Sequence, residues 1–228
     1  MSKRLALVWV LLLFAALAAS AGDVAQFVNL GFSPDGKYFM FGQYGITEKG
    51  SLPWASACIV DVPANAFAPK GNQQLTGAQP ADPGSSGLGA LLKVLANSLP
   101  QTKKFRVDHL LTGRLLYILM DGAQAADALE FRDFLSGKAY TIALSQTAPT
   151  KDAGSSFSIA ITVTDKDGKV KSFAVGDPAF KRASVKAYHI KQIILSPEGN
   201  SLVFIVQKEE QDTRGSNIRY MIETVRPK

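Results

Sequence analysis

Short runs of apolar residues, separated by turns that contain Gly, Pro, Asn or Asp, recur along most of this chain. Residues 157–163 alternate strictly between apolar and polar positions, which is the pattern of a strand with one exposed face. Residues 115–120 are continuously apolar and predict a buried strand, and residues 139–144 predict another. Because the turns are short and helical periodicity is rare, we predict a mostly β fold with an antiparallel β-meander.

The two ends of the chain match each other without a gap, at a constant offset of 163 residues. Ser-Pro-Asp-Gly at residues 33–36 corresponds to Ser-Pro-Glu-Gly at residues 196–199. In such a tetrapeptide Pro sets φ to about −65° and Gly permits a positive φ, so each is predicted to be a tight turn. With the flanking apolar runs, each copy is expected to contain a hairpin, a long loop and a third strand.

Only one segment has clear helical periodicity. Residues 87–99 predict an amphipathic helix that a hydroxyl of Ser85 or Ser86 caps and that Pro100 helps to end. The preceding residues 63–87 are rich in Ala, Pro, Gly, Gln and Ser and predict a loop. We expect the leucine face of the helix to join the core, and the alternative is a docking face for a partner. The leucines of this face are Leu88, Leu91, Leu92, Leu95 and Leu99.

The first 21 residues have the pattern of a signal peptide. Lys3 and Arg4 precede an uncharged apolar run over residues 5–18, and small residues at 19–21 predict cleavage after Ala21. An uncleaved membrane anchor is the alternative, but the run is shorter than the roughly 20 apolar residues that span a bilayer. No later segment is long and apolar enough to cross a membrane, so we predict an exported protein of the periplasm or the extracellular space.

After the signal peptide, the chain is predicted to form a single β-rich domain over residues 22–228. Its parts are a first repeat unit, a loop with the helix, central strands and a second repeat unit, at residues 22–76, 77–100, 101–185 and 186–228. The formal net charge is +6 at pH 7, yet the basic clusters are short and do not alternate with aromatic residues. Nucleic acid is therefore not expected as a partner, and the sequence makes no prediction of the oligomeric state.

The matching ends carry two resemblances. Residues 31–38, together with Phe41, Tyr44 and Gly45, resemble the opening of an uncharacterised family of predicted secreted bacterial proteins with no established activity. Each end also resembles a repeat unit of TolB/WD40-like propellers, with Asp61 in the place of the Asp that marks a following strand. This second resemblance implies a propeller-like fold. Since a propeller needs at least four blades and two copies are visible, we expect a partly propeller-like meander.

Residue types that carry catalysis or bind metals are scarce. Cys58 is the only cysteine and lies in an apolar strand run, which predicts a buried thiol rather than a nucleophile. The turn with Asp165 and Asp167 lacks the glutamate of a calcium loop, and the chain has two histidines. We therefore predict no catalytic residue, no metal site and no cofactor. A hydrolase would need a close pair among scattered carboxylates such as Asp35, Asp61, Asp108 or Asp121.

The predicted functional site lies on the long loops of the two repeat units, residues 42–56 and 205–219. If the units are equivalent, both loops leave the same end of the fold, and loops on a rigid scaffold commonly carry recognition. We predict a non-catalytic protein that binds an envelope protein or a cell-wall component through these loops. The predicted contact residues are Tyr44 and Trp54 in the first loop and Glu209, Glu210 and Arg214 in the second.

Other interpretations stay open. Tyr44 and Trp54 could pack back onto the sheet as part of the core. The protein could instead be a structural component of an envelope assembly, docked through the leucine-rich helix or an exposed strand edge. A carboxylate-dependent hydrolase is the third possibility.

Overall fold

The structure is a computed structural model and describes residues 23–149, 154–212 and 215–226. The predicted signal peptide, residues 1–21, and Arg214 lie outside these ranges. Within them the chain forms twelve strands and one helix. The strands are β1 Gln26–Phe32, β2 Tyr38–Ile46, β3 Pro53–Asp61, β4 Ala66–Thr76, β5 Arg114–Ile118, β6 Ala128–Arg132, β7 Ala139–Gln146, β8 Ser155–Thr164, β9 Val170–Arg182, β10 Val185–Leu195, β11 Leu202–Asp212 and β12 Gly215–Val225, and the helix is α1 Leu88–Lys104.

The strands form three four-stranded sheets, and all neighbouring strands in them are antiparallel. The first sheet has the order β1-β2-β3-β4, the second β12-β11-β10-β5, and the third β6-β7-β8-β9. The predicted fold class, mostly β and antiparallel with one helix, is confirmed. Four-stranded antiparallel sheets are also the units of propellers, and the partly propeller-like arrangement stays a prediction.

Apolar cores lie between successive layers of the fold, which are α1, the first sheet, the second sheet and the third sheet. Because alternate residues of a strand point to opposite faces, the central strands of the first two sheets bury both faces. Each core contains residues of the two layers beside it, for example Leu91 with Met40, Phe41 with Ile205, and Phe204 with Ile159.

The two repeat units fold alike. Ser33 and Ser196 begin equivalent turns, in which their backbone N–H groups donate to the carbonyls of Tyr38 and Ser201, both at 2.9 Å. The serine hydroxyls accept from the N–H groups of the same two residues, at 2.9 and 3.1 Å. The turns also touch, since the carboxylate of Glu198 occupies the space that a Cβ on Gly36 would need. The units therefore lie side by side with their turns at one end.

The helix extends further than predicted. It runs to Lys104 instead of ending near residue 99, and Pro100 lies inside it. On either side of the proline, the hydroxyl side chains of Ser98 and Thr102 are buried. The Thr102 hydroxyl donates to the Ser98 carbonyl at 3.1 Å and lies 3.7 Å from the Met40 sulfur. The contact with Met40 packs the helix beyond its proline against the first sheet.

The leucine face of the helix is also rotated from its predicted position. Gly87, with φ 76°, is the N-cap in place of a serine. Leu91 is buried because β2 carries Gly42 where a side chain would meet it. Leu95 is partly buried. The prediction that all five leucines join the core is wrong for the three exposed ones, Leu88, Leu92 and Leu99.

Several segments predicted as loops are strands. Residues 63–87 contain β4, and the predicted loop at 42–56 is reduced to residues 47–52 between β2 and β3. In the second unit β11 reaches Asp212 and β12 begins at Gly215. The long strands place the candidate site residues on the sheets themselves.

Candidate functional site

A groove runs between the two repeat units, with β2, β3 and β4 of the first sheet on one side and β11 and β12 of the second on the other. It consists of two adjoining cavities of about 450 and about 710 Å³. Their linings share four residues, so the cavities form one continuous depression, which we name the interunit groove. The shared residues are Gln43, Ser56, Gln74 and Lys208.

Hydrogen bonds between side chains and backbone hold the two walls of the groove together. The Gln43 side-chain carbonyl accepts from the Tyr220 backbone N–H at 2.9 Å, and its amide donates to the Tyr220 carbonyl at 3.3 Å. Further along, the Thr224 hydroxyl donates to the Val62 carbonyl at 2.7 Å. Asn65 donates to the buried Glu223 carboxylate at 2.6 Å. The relative position of the two units is therefore fixed by directional contacts as well as by apolar packing.

One end of the groove is formed by a cluster of Asp23, Trp54 and Arg219. The Trp54 indole N–H donates to Asp23 Oδ2 at 3.0 Å, and Arg219 Nη2 donates to the same oxygen at 2.7 Å. The Arg219 guanidinium also lies 4.3 Å from the centre of the Trp54 ring, within cation–π range. The Asp23 backbone pairs with β12, since its carbonyl accepts from the Ile218 N–H at 2.9 Å. This cluster makes Trp54 a rigid wall of the groove.

The five residues predicted from the sequence do not all meet at one site. Trp54 and Glu210 line the groove, and Glu210 pairs with Lys208 at 2.7 Å. Tyr44 packs with the core beneath α1, on the other face of the first sheet. Glu209 lies on the opposite face of β11 from its neighbour Glu210. Arg214 lies outside the described residues.

Glu209 has partners of its own. Its carboxylate accepts from the Ser216 hydroxyl at 2.7 Å and pairs with Lys186 at 2.9 Å. These hydrogen bonds, the Ser216 bond first, lower the pKa of Glu209. Glu209 therefore stabilises the pairing of β11 with its neighbours.

The groove contains polar residues that the sequence analysis did not single out. Ser56, Asn72 and Gln74 lie on β3 and β4 and line it with hydroxyl and amide groups. Asn72 and Gln74 were missed because β4 carries polar residues on both faces at 72–74, so no alternation marks the strand. A side-chain amide beside a second amide and a hydroxyl can both donate and accept hydrogen bonds. This lining is suited to a ligand that carries hydroxyl or amide groups.

Cys58 lies in the wall of the groove, and its thiol has low reactivity. It is 5% exposed, its Sγ donates to the Asn72 side-chain oxygen at 3.3 Å, and burial raises the pKa of its thiol to about 12. A thiol that is protonated at neutral pH is a poor nucleophile. Among the described residues, no group of three or more His, Cys, Asp or Glu side chains could hold a metal ion.

The carboxylates considered for a hydrolase each have a local structural role. Asp35, Asp61 and Asp108 accept backbone N–H groups of the turns in which they lie. Asp121 pairs with Lys191 at 2.6 Å. None of the four lines the interunit groove.

The chain matches the model of a known protein family. A family model described as "Predicted secreted protein (DUF2259)" matches residues 40–226, from β2 to the residue after β12. The chain belongs to this family. The match includes both walls of the interunit groove. No match is found among curated proteins or among solved structures.

The DUF2259 family is described as predicted secreted, in agreement with the exported location expected from the sequence. In the part of the chain that the structure describes, no helix has the length and apolar character needed to cross a membrane.

Proposed function

We propose that this DUF2259 protein is a non-catalytic binding protein of the exported compartment and that the interunit groove is its binding site. The observation that supports the proposal is the open groove of about 450 and about 710 Å³ between the two repeat units, lined by hydrogen-bonding side chains. Ligand sites commonly lie in such concave positions between structural units. The groove stands on strands, which hold its shape without a ligand.

The lining favours a cell-wall component with hydroxyl and amide groups. Ser56, Asn72 and Gln74 supply uncharged donors and acceptors. Among the charged groups nearby, Lys208 contacts Glu210 and Arg219 contacts Asp23. Arg182 also lines the groove, and its Nη1 is buried without a hydrogen-bond partner among the described residues. The uncharged groups and the Arg182 guanidinium are therefore left to select the ligand. A segment of an envelope protein is the alternative occupant.

Gln74 and Gln73 provide a matched test of the site. They are neighbours on β4, and only Gln74 lines the groove. Truncating a side chain that makes one ligand hydrogen bond costs about 0.5–1.5 kcal/mol, or roughly 2- to 13-fold in Kd. In co-sedimentation with insoluble cell-wall material, we expect Gln74→Ala to weaken binding by this factor and Gln73→Ala to bind as the parent does.

The opposite results would count against the proposal in different ways. Equal binding by both variants and the parent would place the site elsewhere on the protein. No binding by the parent protein would exclude cell-wall material as the ligand. The same Gln74 and Gln73 pair would then be compared in capture of envelope proteins.

The exposed face of α1 supports a second candidate function, a structural component of an envelope assembly. Leu88, Leu92 and Leu99 are 44%, 59% and 51% exposed. The helix contains lysines but no Asp or Glu. Such a face suits a partner surface that is apolar and acidic. A Leu92→Ser/Leu99→Ser variant that keeps cell-wall binding but loses a cross-linked envelope partner would favour this function.

A further inference from the structure

A second cavity lies away from the interunit groove, between the third sheet and the turn that joins β10 to β11. It measures about 190 Å³ and is named here the lysine pocket. It is lined by residues of β7, of the β8–β9 hairpin and of the β10–β11 turn. The polar side chains of its lining include Lys138, Tyr140, Asp165, Lys169, Lys171 and Asn200.

We propose that the lysine pocket binds a phosphate-sized oxyanion, either free phosphate or a phosphate group of a larger envelope molecule. The proposal is independent of the function assigned to the interunit groove, because the two linings share no residue.

Tyr140 is the buried polar group of the pocket. The residue is 3% exposed, and its ring stacks on Phe131 with the ring centres 5.1 Å apart. Within the described residues its hydroxyl has no hydrogen-bond partner. Burial raises the pKa of Tyr140, and the nearby Asp133 charge raises it further. The hydroxyl is therefore a protonated donor at neutral pH that is available to a ligand in the pocket.

Lysine side chains approach the pocket from three positions of the fold. Lys138 precedes β7, Lys169 lies in the β8–β9 turn, and Lys171 lies on β9. Asp165 is the carboxylate in the lining, and its Oδ1 accepts the backbone N–H groups of Asp167 and Lys169 at 3.0 and 2.9 Å. Lys138 and Lys169 against one engaged carboxylate give the pocket a net positive charge.

Asn200 adds an uncharged donor to this arrangement. Its side-chain oxygen accepts from the hydroxyls of Ser196 at 3.4 Å and Ser201 at 3.1 Å. These bonds orient the amide and leave its NH₂ group for another acceptor. A phenol, an amide and ammonium groups are all donors, and together they match the oxygens of a phosphate. The volume of the pocket suits a small anion.

The test measures the thermal midpoint of the mature protein against phosphate concentration, with ionic strength held constant by sodium chloride. A ligand that binds only the folded state raises Tm in a saturable way, whereas screening alone does not. The variants are Tyr140→Phe, which removes only the hydroxyl, and Lys169→Gln. Lys166→Gln is the matched control, because Lys166 is exposed in the same turn but does not line the pocket.

We expect saturable stabilisation of the parent and the control, and a Kd that rises about tenfold or more in Tyr140→Phe and in Lys169→Gln. Vesicles that contain phosphatidylglycerol, compared with vesicles of phosphatidylcholine alone, distinguish a bound phosphodiester from free phosphate. Vesicle binding that depends on Tyr140 and Lys169, without a response to free phosphate, supports the membrane source. No response of the parent to either probe, or equal responses of all variants, overturns the proposal.

Discussion

The cluster of Asp23, Trp54 and Arg219 yields the most direct prediction for stability. The side chains of Asp23 and Arg219 are 4% and 21% exposed, and the pair is 2.7 Å apart. Removing one partner of a fully buried pair costs about 3–5 kcal/mol. Because Arg219 partly reaches solvent, we scale this to about 2–3 kcal/mol for Asp23→Ala. This free energy includes the loss of the hydrogen bond that the Trp54 indole N–H donates to Asp23.

The assay is urea unfolding of the mature chain, followed by the fluorescence of Trp54. The only other tryptophan, Trp9, lies in the predicted signal peptide, so the mature chain carries a single reporter inside the cluster. With a slope of about 2 kcal/mol/M, the expected loss lowers the midpoint by roughly 1–1.5 M. Glu48→Ala, which removes an exposed carboxylate of the same unit, should change stability by less than about 0.5 kcal/mol.

A double-mutant cycle shows whether the loss comes from the pair. Combining Asp23→Ala with Arg219→Met should give a coupling free energy of about 1 kcal/mol or more, because residues in contact are not additive. If Asp23→Ala unfolds at the same urea concentration as Glu48→Ala, or if the coupling free energy is zero, the ion pair between Asp23 and Arg219 does not stabilise the fold.

Three further predictions concern other parts of the fold. The guanidinium of Arg114 lowers the pKa of Asp133, so the ionised carboxylate stabilises the fold fully above the ordinary carboxyl pKa of about 3.9 and progressively less as the pH falls below it. The fall in Tm between pH 5 and pH 2 should therefore be smaller in Asp133→Asn than in the parent. Gly36→Ala and Gly199→Ala should each destabilise by about 1 kcal/mol in urea unfolding, because both have positive φ and a Cβ on Gly36 would meet only the movable end of the exposed Glu198 side chain. Cys58 should resist a thiol reagent at pH 8 in the folded protein and react fully in denaturant, and rapid labelling under native conditions would contradict its burial.

The local features of this fold were predictable from the sequence. The Ser-Pro-Asp/Glu-Gly turns depend on a few adjacent residues, and strict alternation over 157–163 marks β8 whatever it packs against. The equivalence of the two ends followed from their match, and both copies form the same hairpin and third strand. These elements are specified by neighbours in sequence.

The remaining features depend on contacts distant in sequence. The helix rotates Leu91 toward β2 because Gly42 leaves space there, which no helical periodicity shows. Tyr44 and Trp54 both belong to the first unit, yet they face opposite sides because their strands pair in a specific register. The contact of Trp54 with Arg219 joins residues at opposite ends of the chain. Of the groove residues, Trp54 and Glu210 were therefore predictable from the sequence, and the amide lining was not.

The central claim, that the interunit groove is the binding site, is tested most directly by hydrogen exchange of backbone amides with and without soluble cell-wall fragments. We predict slower exchange in β3, β4 and the facing part of β12, and unchanged exchange in β7 and β8 of the third sheet. Protection confined to the third sheet or to α1, with no change along the groove, would contradict it.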